Sequence, residues 1–519
     1  MASPRPAPVW QDPELGAPPL GADTRCDVAV VGAGITGLTT AVQLGRAGMD
    51  VLLLEARHVG AGTTGGSTAK VTLGQGARMS TLRAAHDNDA LVDYVDAGIE
   101  GQQWLAELAA RRGVPMQEQD GVTYATTEEG RSRLEEELRA MRVAGLEPSL
   151  LPEAGLPFDT TGALVLPGQL QIDPGAYARA LAREAEEAGV RIHEHSTVHS
   201  ASWTGPLELR VGVPASASPG GADAGQHRVT ANWLVLATGL PILDRGGFFA
   251  REQPSRSYCV AVEVRGERPA GMFLSVEQPT RSLRTVGDRG LLVGGNGHVV
   301  GRQRHTEGLL DDLELWVERY FDVLGTTHRW AAQDYATADG LPYVGRLLPW
   351  REDVLFASGF DKWGMTTGTA AGLALAGAVV GEGAAWASRW DPWRANVVRQ
   401  LPQVARFNAS VAWQLGTGLV RVARNRFWTA PPEGHGVVRP GLRGPVAVSC
   451  VDGQVRSVSA VCPHLGGIVQ WNDGERSWDC PLHGSRFTPD GSRLEGPAGS
   501  GLRQADGAQT KGAQAAVDE

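Results

Sequence analysis

The feature that most constrains the fold is a glycine-rich turn between a short apolar strand and a helix near the start of the chain. Residues 27–31 alternate into an apolar strand, residues 36–48 have the apolar spacing of a helix, and residues 51–54 form a second apolar run that suits a buried strand. This order of elements is typical of the start of an α/β nucleotide-binding domain. We therefore expect a Rossmann-like domain here.

The spacing Gly32-x-Gly34-x-x-Gly37 fits a turn that binds the diphosphate of a dinucleotide. The first glycine permits the tight turn, the second lets the backbone approach the pyrophosphate, and the third lets helix and strand pack closely. Glu55 ends the second strand about 20 residues on, where a carboxylate accepts hydrogen bonds from ribose hydroxyls. A chance glycine-rich turn is the alternative, and the strand, the helix and Glu55 together argue against it.

Length and composition exclude several classes of protein. The chain has 519 residues and a formal net charge of -10, without the dense block of Lys and Arg that grips nucleic acid. It has no run of about 18 apolar residues, and residues 1–25 are Pro-rich and lack the apolar core of a signal peptide. The five cysteines are few and widely spread, unlike a disulfide framework. We expect a cytoplasmic protein with no integral membrane segment.

Further helices and strands are indicated downstream. Asp173 and Pro174 suit the N-cap and the first position of a helix that continues to Ala188. A helix is also expected at residues 364–380. Strands are expected near residue 191 and at residues 233–237, 258–264, 291–293 and 354–357.

Four later segments favour FAD over NAD. Residues 234–239 resemble the strand and turn with which FAD oxidoreductases return to the nucleotide, and residues 339–345 and 359–366 resemble the segments that carry the ribityl chain and the flavin ring. With residues 172–177 they are similar, in order, to the glycine oxidase and D-amino-acid oxidase superfamily across about residues 26–390. The resemblance implies an α/β FAD-binding domain interleaved with an α+β substrate domain. It also implies oxidation of a C–N bond, with hydride transfer from the substrate to the flavin.

The resemblance also implies which residues bind FAD. Direct use of NADH is not expected, because the glycines of residues 294–297 are not followed by a helical pattern. The expected FAD-binding residues are Gly32, Gly34, Ile35, Thr36, Gly37, Glu55, Ala56, Arg57, Thr68, Val198, Ala237, Thr238, Gly239, Gly340, Gly359, Lys362, Trp363, Gly364, Met365 and Thr366.

Lys70 and Lys362 are candidate catalytic residues. Only three of the 48 basic residues are lysines, and two of them stand in segments that the resemblance places beside the flavin. A compact ammonium group fits where a guanidinium does not, and positive charge near the flavin N1 stabilises the reduced anionic flavin. The alternative is that both are ordinary surface lysines.

Arg284 and His298 are two further candidates in the middle of the chain. Arg284 could hold a substrate carboxylate with two hydrogen bonds, and His298 could face the substrate. A structural role is the alternative for each, because most polar residues beside a site only shape it.

A second motif lies near the C-terminus. Cys462-x-His464 and Cys480-x-x-His483 have the spacing of the Rieske pattern, in which two thiolates hold one iron and two imidazoles hold the other. A Cys2His2 zinc site is the alternative. Structural zinc sites usually space their paired cysteines two to four residues apart, which this pattern does not do.

Residues 432–502 resemble a Rieske [2Fe-2S] domain, which is expected to be small and all-β. Asp490-Gly491 and the segment after Gly496 resemble its turn and closing segment. The high-potential respiratory members carry an extra cysteine in each ligand loop, where this chain has Gly467 and Leu482, and they use Tyr where this chain has Phe487. Fewer hydrogen bonds to sulfur lower the reduction potential, so we expect the lower part of the Rieske range.

The sequence thus predicts five regions. A Pro-rich arm at 1–25 precedes an FAD-dependent oxidoreductase at 26–392, a basic amphipathic connector at 393–430, a Rieske domain at 431–502 and a tail at 503–519 that we expect to be disordered. The connector has six arginines and no acidic residue between 393 and 428. It suits a helix packed between two domains, or else a membrane-surface or partner-docking helix.

The expected function is that of a dehydrogenase. Reduced FAD would pass single electrons to the cluster, and the cluster would pass them to an external acceptor, with an amine or amino acid as substrate. Two alternatives remain: an oxygen-using oxidase with a structural Rieske domain, and an electron-transfer module with no small-molecule substrate.

Overall fold

The computed structural model describes residues 6–10, 14–202, 204–212, 226–394, 397–424 and 430–505. The chain divides into two compact units, Met1–His298 with Gly308–Phe407, and Val299–Glu307 with Asn408–Glu519. The short segment Val299–Glu307 therefore belongs to the second unit although the first unit surrounds it in sequence. Residues 425–429 of the expected connector and 506–519 of the expected tail lie outside the described residues.

The helices of the described chain begin with the predicted one after the glycine-rich turn. They are α1 (Ile35–Arg46), α2 (Thr63–Gly66), α3 (Arg78–Ala85), α4 (Asn88–Arg111), α5 (Glu128–Val143), α6 (Pro174–Glu187), α7 (Glu307–Tyr320), α8 (Thr367–Val380) and α9 (Val397–Arg424).

The strands of the first unit fall into two sheets. They are β1 (Thr24–Val31), β2 (Val51–Leu54), β3 (Lys70–Val71), β4 (Met116–Ala125), β5 (Ser149–Leu151), β6 (Gly162–Ile172), β7 (Arg191–His193), β8 (Thr197–Ala201), β9 (Leu207–Gly212), β10 (Gln226–Leu236), β11 (Glu252–Arg265), β12 (Met272–Ser275), β13 (Arg281–Val286), β14 (Gly290–Val299), β15 (Asp322–Thr337), β16 (Tyr343–Leu348) and β17 (Arg351–Ser358).

The first sheet contains the predicted nucleotide-binding unit. Among the described residues its order is β16-β17-β10-β1-β2-β7, with β9 beside β10 and β8 beside β9. β1 pairs in parallel with β2 and β10, and β10 pairs in parallel with β17. The carboxyl ends of these strands therefore meet at one edge, where a doubly wound sheet binds nucleotides. The predicted Rossmann-like fold is confirmed.

The second sheet alternates with the first along the chain. Within the described ranges its order is β15-β11-β14-β13-β12-β4-β6-β3, with β5 beside β6. β12 pairs with β4 in parallel, whereas the pairs β15–β11, β14–β13, β13–β12, β4–β6, β6–β3 and β5–β6 are antiparallel. Since β3–β6 and β11–β15 belong to this sheet while β7–β10 and β16–β17 belong to the other, the two subdomains are interleaved as the resemblance implied.

The second unit carries two small antiparallel sheets in its described residues. One contains β18 (Gly436–Arg439), β19 (Val446–Val451) and β20 (Gln454–Ser459), and the other contains β21 (Gln470–Asn472), β22 (Ser477–Asp479), β23 (Arg486–Phe487) and β24 (Arg493–Glu495). Trp478 and Phe487 are fully buried in a core that also contains Cys462 and Cys480. The expected small all-β domain is confirmed.

Local sequence signals position the predicted elements well. The Asp173 side chain accepts hydrogen bonds from the backbone N–H groups of Gly175 and Ala176, so it caps α6 as predicted. The helix expected at 364–380 begins at Thr367, because residues 359–366 form a turn with positive φ at Gly359 and Lys362.

Candidate active site and metal centre

The glycine-rich turn joins β1 to α1 with a geometry that excludes side chains. Gly32 has a φ of +104°, and a Cβ there would lie 2.4 Å from the carbonyl oxygen of Ala237. A Cβ on Gly37 would lie 1.9 Å from the carbonyl oxygen of Gly32. The turn therefore packs directly against the end of β10, with Gly34 as the N-cap of α1. This fits a dinucleotide whose pyrophosphate lies at the N-terminus of α1.

Glu55 lies beside this turn. Its carboxylate accepts hydrogen bonds from the backbone N–H groups of Ala33 at 2.8 Å and Arg57 at 2.9 Å. The hydroxyl of Thr64, a residue that the sequence did not single out, accepts from the N–H of Ile35 at 3.0 Å. The turn is thus held from two sides, by Glu55 and by Thr64.

Arg78 of α3 joins two of the segments expected to carry FAD. Its guanidinium donates to the Asp361 carboxylate at 2.6 Å and to the carbonyl oxygen of Gly340. It also lies over the ring of Tyr94, with the guanidinium carbon 5.7 Å from the centroid. Arg78 is buried, and no sequence motif indicated it.

The remaining expected FAD residues fall in several places. Ala56 follows Glu55 directly, Thr36 lies in the first turn of α1, and Val198 is buried in β8. The carbonyl oxygen of Gly239 accepts from the Ser358 hydroxyl at 2.5 Å. Thr238 follows Ala237 at the end of β10, Gly359 and Gly364 lie in the turn before α8, and Met365 and Thr366 are buried at its start.

A cavity of about 310 Å³ lies within the first unit. Four expected site residues line it: Thr68, Lys70, Lys362 and Trp363. The volume is within the range of small-molecule sites. Sequence reasoning missed other polar lining residues. Asp361 lies in the turn before α8, and the rest come from distant strands: Tyr258, Cys259, Ser282, Gln333 and Asp334.

Two indoles hold the loop that carries Thr68. Trp10, from the expected N-terminal arm, donates its indole N–H to the carbonyl oxygen of Ser67 at 2.7 Å. Trp330 of β15 donates to the carbonyl oxygen of Gly66 at 2.8 Å. The arm therefore takes part in shaping one wall of the cavity.

Lys70 presents its amine to polar but uncharged neighbours. Its Nζ donates to the hydroxyls of Thr68 at 3.3 Å and Ser282 at 3.4 Å. Burial, and then the charge of Arg284, lowers the pKa of Lys70 to about 7. Lys70 therefore gains and loses its proton near neutral pH.

Asp334 lies at the same cavity as Lys362. Its carboxylate accepts from the backbone N–H groups of Lys362 at 2.5 Å and Tyr335 at 2.7 Å. Burial raises the pKa of Asp334 to about 6, although these two hydrogen bonds act in the opposite direction. Burial also raises the pKa of the neighbouring Cys259 thiol to about 12, so that Cys259 stays a neutral lining residue.

Arg284 and His298 are not among the cavity-lining residues. The Arg284 guanidinium donates to the carbonyl oxygens of Thr68, Ala69 and Ile172 at 2.6 to 3.1 Å. His298 stacks on Tyr258, whose hydroxyl lies 3.2 Å from its Nε2. Arg284 therefore holds the loop that carries Thr68 and Ala69. His298 contacts Tyr258, which itself lines the cavity.

The four expected metal ligands come together in the second unit. Cys462 and Cys480 are 1% and 2% exposed, and the imidazole centroids of His464 and His483 are 5.0 Å apart. Several hydrogen bonds lower the pKa of Cys462, and the one from the Cys480 thiol has the largest effect. Burial, followed by the charges of His464 and Arg302, lowers the pKa of His483 to about 3, so its imidazole is neutral as a metal ligand must be.

Backbone and hydroxyl donors surround both sulfurs. The N–H groups of His464 and Leu465 and the Ser485 hydroxyl donate to Cys462, and those of Leu482 and His483 donate to Cys480. Such donors stabilise thiolates and change the reduction potential of a cluster bound to them. Two thiolates and two imidazoles in this setting fit a [2Fe-2S] cluster.

Gly467 and Leu482 pack against each other at the contact between the two ligand loops. A Cβ on Gly467 would lie 2.6 Å from Cγ of Leu482 and 2.9 Å from Sγ of Cys480. Leu482 therefore fills the space that a side chain at position 467 would need. The two ligand loops pack through this leucine.

The alternative of a single zinc ion is not supported. In the described residues no group of three or more His, Cys, Asp and Glu side chains is arranged to hold one metal ion. A zinc ion requires four ligands about 2.0–2.3 Å from one point, whereas a two-iron cluster spreads its ligands over two metals.

The segment Val299–Glu307 packs against the Cys480 loop inside the second unit. A Cβ on Gly301 would lie 2.7 Å from the backbone nitrogen of Pro481, and Arg302 donates to the Pro481 carbonyl oxygen at 3.2 Å. Asp473 accepts hydrogen bonds from the N–H groups of Thr306 at 2.8 Å and Glu307 at 3.0 Å. The segment is thus a built part of the cluster-binding unit.

Arg486 holds the residue before Cys480. Its guanidinium pairs with Asp479 at 3.0 Å, Glu475 at 3.1 Å and Glu495 at 3.1 Å. Burial alone would lower the pKa of Arg486, but the three carboxylates outweigh it and hold that pKa well above the usual range. Arg486 is therefore charged at every pH at which the protein is folded.

Comparison with known families agrees with both sites. Residues 27–378 match the family described as DAO, FAD dependent oxidoreductase, and residues 434–506 match the Rieske [2Fe-2S] domain. The chain therefore belongs to the DAO family of FAD-dependent oxidoreductases and carries a Rieske domain at its C-terminal end. The first domain binds FAD and the second binds a [2Fe-2S] cluster.

One relative matches nearly the whole chain, and two other proteins match a little over 70% of it. YhfW of Bacillus subtilis (strain 168), named a Rieske 2Fe-2S iron-sulfur protein, is 32% identical over 504 residues, which are 94% of this chain and 95% of YhfW. Gamma-glutamylputrescine oxidoreductase of Escherichia coli (strain K12) is 24% identical over 72% of this chain and 87% of its own length. The crystal structure of glycine oxidase from Geobacillus kaustophilus shares the fold, with a TM-score of 0.58 at 20% identity over 71% of this chain and 99% of that one.

Proposed function

We propose that this chain is a dehydrogenase that oxidises a C–N bond of an amine or amino acid. In this proposal FAD accepts two electrons as a hydride, and the Rieske cluster then carries them one at a time to an external acceptor. The observation that carries the proposal is the cavity of about 310 Å³ lined by residues expected to lie beside the flavin.

The cavity favours a small-molecule substrate over a pure electron-transfer module. Its lining carries both cationic side chains, Lys70 and Lys362, and anionic ones, Asp334 and Asp361. Charges of both signs suit a substrate that itself bears an ammonium group and a carboxylate.

Lys70 and Lys362 support hydride acceptance in this proposal. A positive charge beside the flavin stabilises the negative charge that the ring gains on reduction. Lys70→Met and Lys362→Met are each expected to lower the flavin potential, measured by spectroelectrochemical titration. Unchanged potentials in both variants would show that the two lysines do not act on the flavin.

The substrate class is tested by anaerobic titration of the purified holoprotein with a panel of amines and amino acids. Flavin bleaching and the EPR signal of the reduced cluster are followed in the same samples. We expect one class of substrate to bleach the flavin and the cluster signal to grow afterwards. Cys462→Ser is the control, because it removes a cluster ligand and leaves the cavity intact.

Two outcomes would replace this proposal. Rapid peroxide formation under air that persists in Cys462→Ser would identify an oxygen-using oxidase. A flavin that no panel member bleaches, but that is reduced through the cluster by an electron donor, would identify an electron-transfer module.

The absence of disulfides among the described cysteines favours a reducing compartment such as the cytoplasm.

A further inference from the structure

The second half of α9 exposes an apolar stripe. Residues 408–424 belong to the second unit, where Val422 is buried and a Cβ on Gly418 would lie 3.2 Å from Cβ of Ile468. That face packs on the core of the unit. Val411 also packs against this core. The exposed apolar stripe lies beside that face and consists of Ala412, Trp413, Leu415, Leu419, Val420 and Ala423.

This exposure is concentrated on α9. Of the thirteen large hydrophobic side chains that are exposed in the described part of the chain, five lie on α9, a helix of 28 residues. Trp413 is 71% exposed, Leu419 is 56% and Val420 is 49%. Single exposed apolar residues need no explanation, but a continuous stripe on one helix indicates a binding surface.

The charge of α9 identifies the partner. The helix contains four arginines and no Asp or Glu, in a chain whose formal net charge is -10. Trp413, Val420 and Arg424 follow one another at spacings of seven and four residues, so an exposed arginine borders the stripe. An apolar face with Trp and a basic edge is the pattern of helices that lie in the headgroup region of anionic membranes.

We propose that the second half of α9 binds the surface of an anionic lipid bilayer, with the stripe inserted among the headgroups and Arg424 paired with a lipid phosphate. No helix in the described ranges is long and apolar enough to cross a membrane. The contact is therefore peripheral, with α9 lying along the interface. A second copy of the chain fits less well, because two α9 helices packed together would oppose arginine to arginine.

The test is flotation of the full-length holoprotein with vesicles of phosphatidylcholine alone or mixed with phosphatidylglycerol. We expect binding to the anionic vesicles only, and weaker binding as salt is raised. The double variant Trp413→Gln with Leu419→Gln is expected to bind at least about tenfold more weakly, since two large apolar side chains leave the interface. Intact flavin and cluster spectra show that the variant is folded.

The chain offers a matched control. Trp350→Gln with Leu315→Gln replaces the same residue types, which are 75% and 67% exposed but lie outside α9. This variant is expected to bind vesicles like the wild type. Arg424→Gln is expected to weaken binding to anionic vesicles at low salt.

Three results would overturn the proposal. The first is that the wild type does not float with anionic vesicles. The second is that both double variants lose binding equally, which would show that the stripe is not specific. The third is a wild-type oligomer, measured by light scattering, that Trp413→Gln with Leu419→Gln dissociates in the absence of any vesicle binding; the stripe would then be a protein interface. None of these results depends on the proposed dehydrogenase chemistry.

Discussion

Replacing Arg486 by Met should destabilise the Rieske unit strongly. Arg486 is 5% exposed, and its guanidinium also donates to the Ser477 hydroxyl at 2.9 Å. Methionine has a similar length but no charge and no donor. Asp479, whose side chain is 3% exposed, would then keep a buried negative charge without its cationic partner.

The magnitude follows from this burial. Removing one partner of a buried ion pair costs about 3–5 kcal/mol, because the charge that remains is desolvated and uncompensated. Since Asp479 directly precedes the ligand Cys480, the loss falls on the second ligand loop. The assay is denaturant unfolding of the holoprotein followed by the visible circular dichroism of the cluster.

Arg476→Met supplies the control. Arg476 pairs with Asp452 at 3.6 Å, but the two side chains are 52% and 79% exposed. An exposed pair of this kind is worth at most about 1 kcal/mol. Equal losses of stability in the two variants would refute the reasoning, because burial would then not decide the contribution of an ion pair in this unit.

Three further predictions concern the cofactors. Gly32→Ala is expected to abolish FAD binding, measured as flavin absorbance per protein, because its Cβ would lie 2.4 Å from the carbonyl oxygen of Ala237. Arg302→Gln should lower the reduction potential of the cluster by about 59 mV, which is a tenfold change in its one-electron reduction equilibrium, measured by EPR-monitored titration. The control is Arg304→Gln at an exposed position, which should leave this potential unchanged. Lys70→Met should lower the flavin potential strongly at about pH 6 and only slightly at about pH 9. The reason is that Lys70, with a pKa of about 7, loses its positive charge between these two pH values. A change in potential that is independent of pH would mean that the charge of Lys70 does not cause it.

The parts of the fold that the sequence predicted are those specified by local signals. The turn at Gly32 and the cap at Asp173 depend on residues a few positions apart, and each was predicted from the residue types and elements around it. The cluster ligands were also predictable, because Cys462-x-His464 and Cys480-x-x-His483 each lie within one loop.

The parts that were not predicted depend on distant partners. Asp334 enters the cavity from a strand of the middle third, and Thr306 meets Asp473 across 167 positions of sequence. No periodicity of the sequence indicates which distant residues will meet in this way. Arg284 shows the converse problem, since a basic residue that could clamp a carboxylate is instead engaged by backbone carbonyls, which carry no sequence signature.

The segment Val299–Glu307 has a consequence for modularity. A fragment cut at the start of the Rieske sequence match, near residue 434, would lack Gly301, Arg302 and Thr306. It would expose the backbone at Pro481 and leave the Asp473 carboxylate without the Thr306 donor. The cluster unit is therefore not an autonomous cassette. A chimera that joins this unit to another flavoenzyme must therefore include the segment Val299–Glu307 as well. Recombination at the domain boundary that the sequence suggests would separate this segment from the unit to which it belongs.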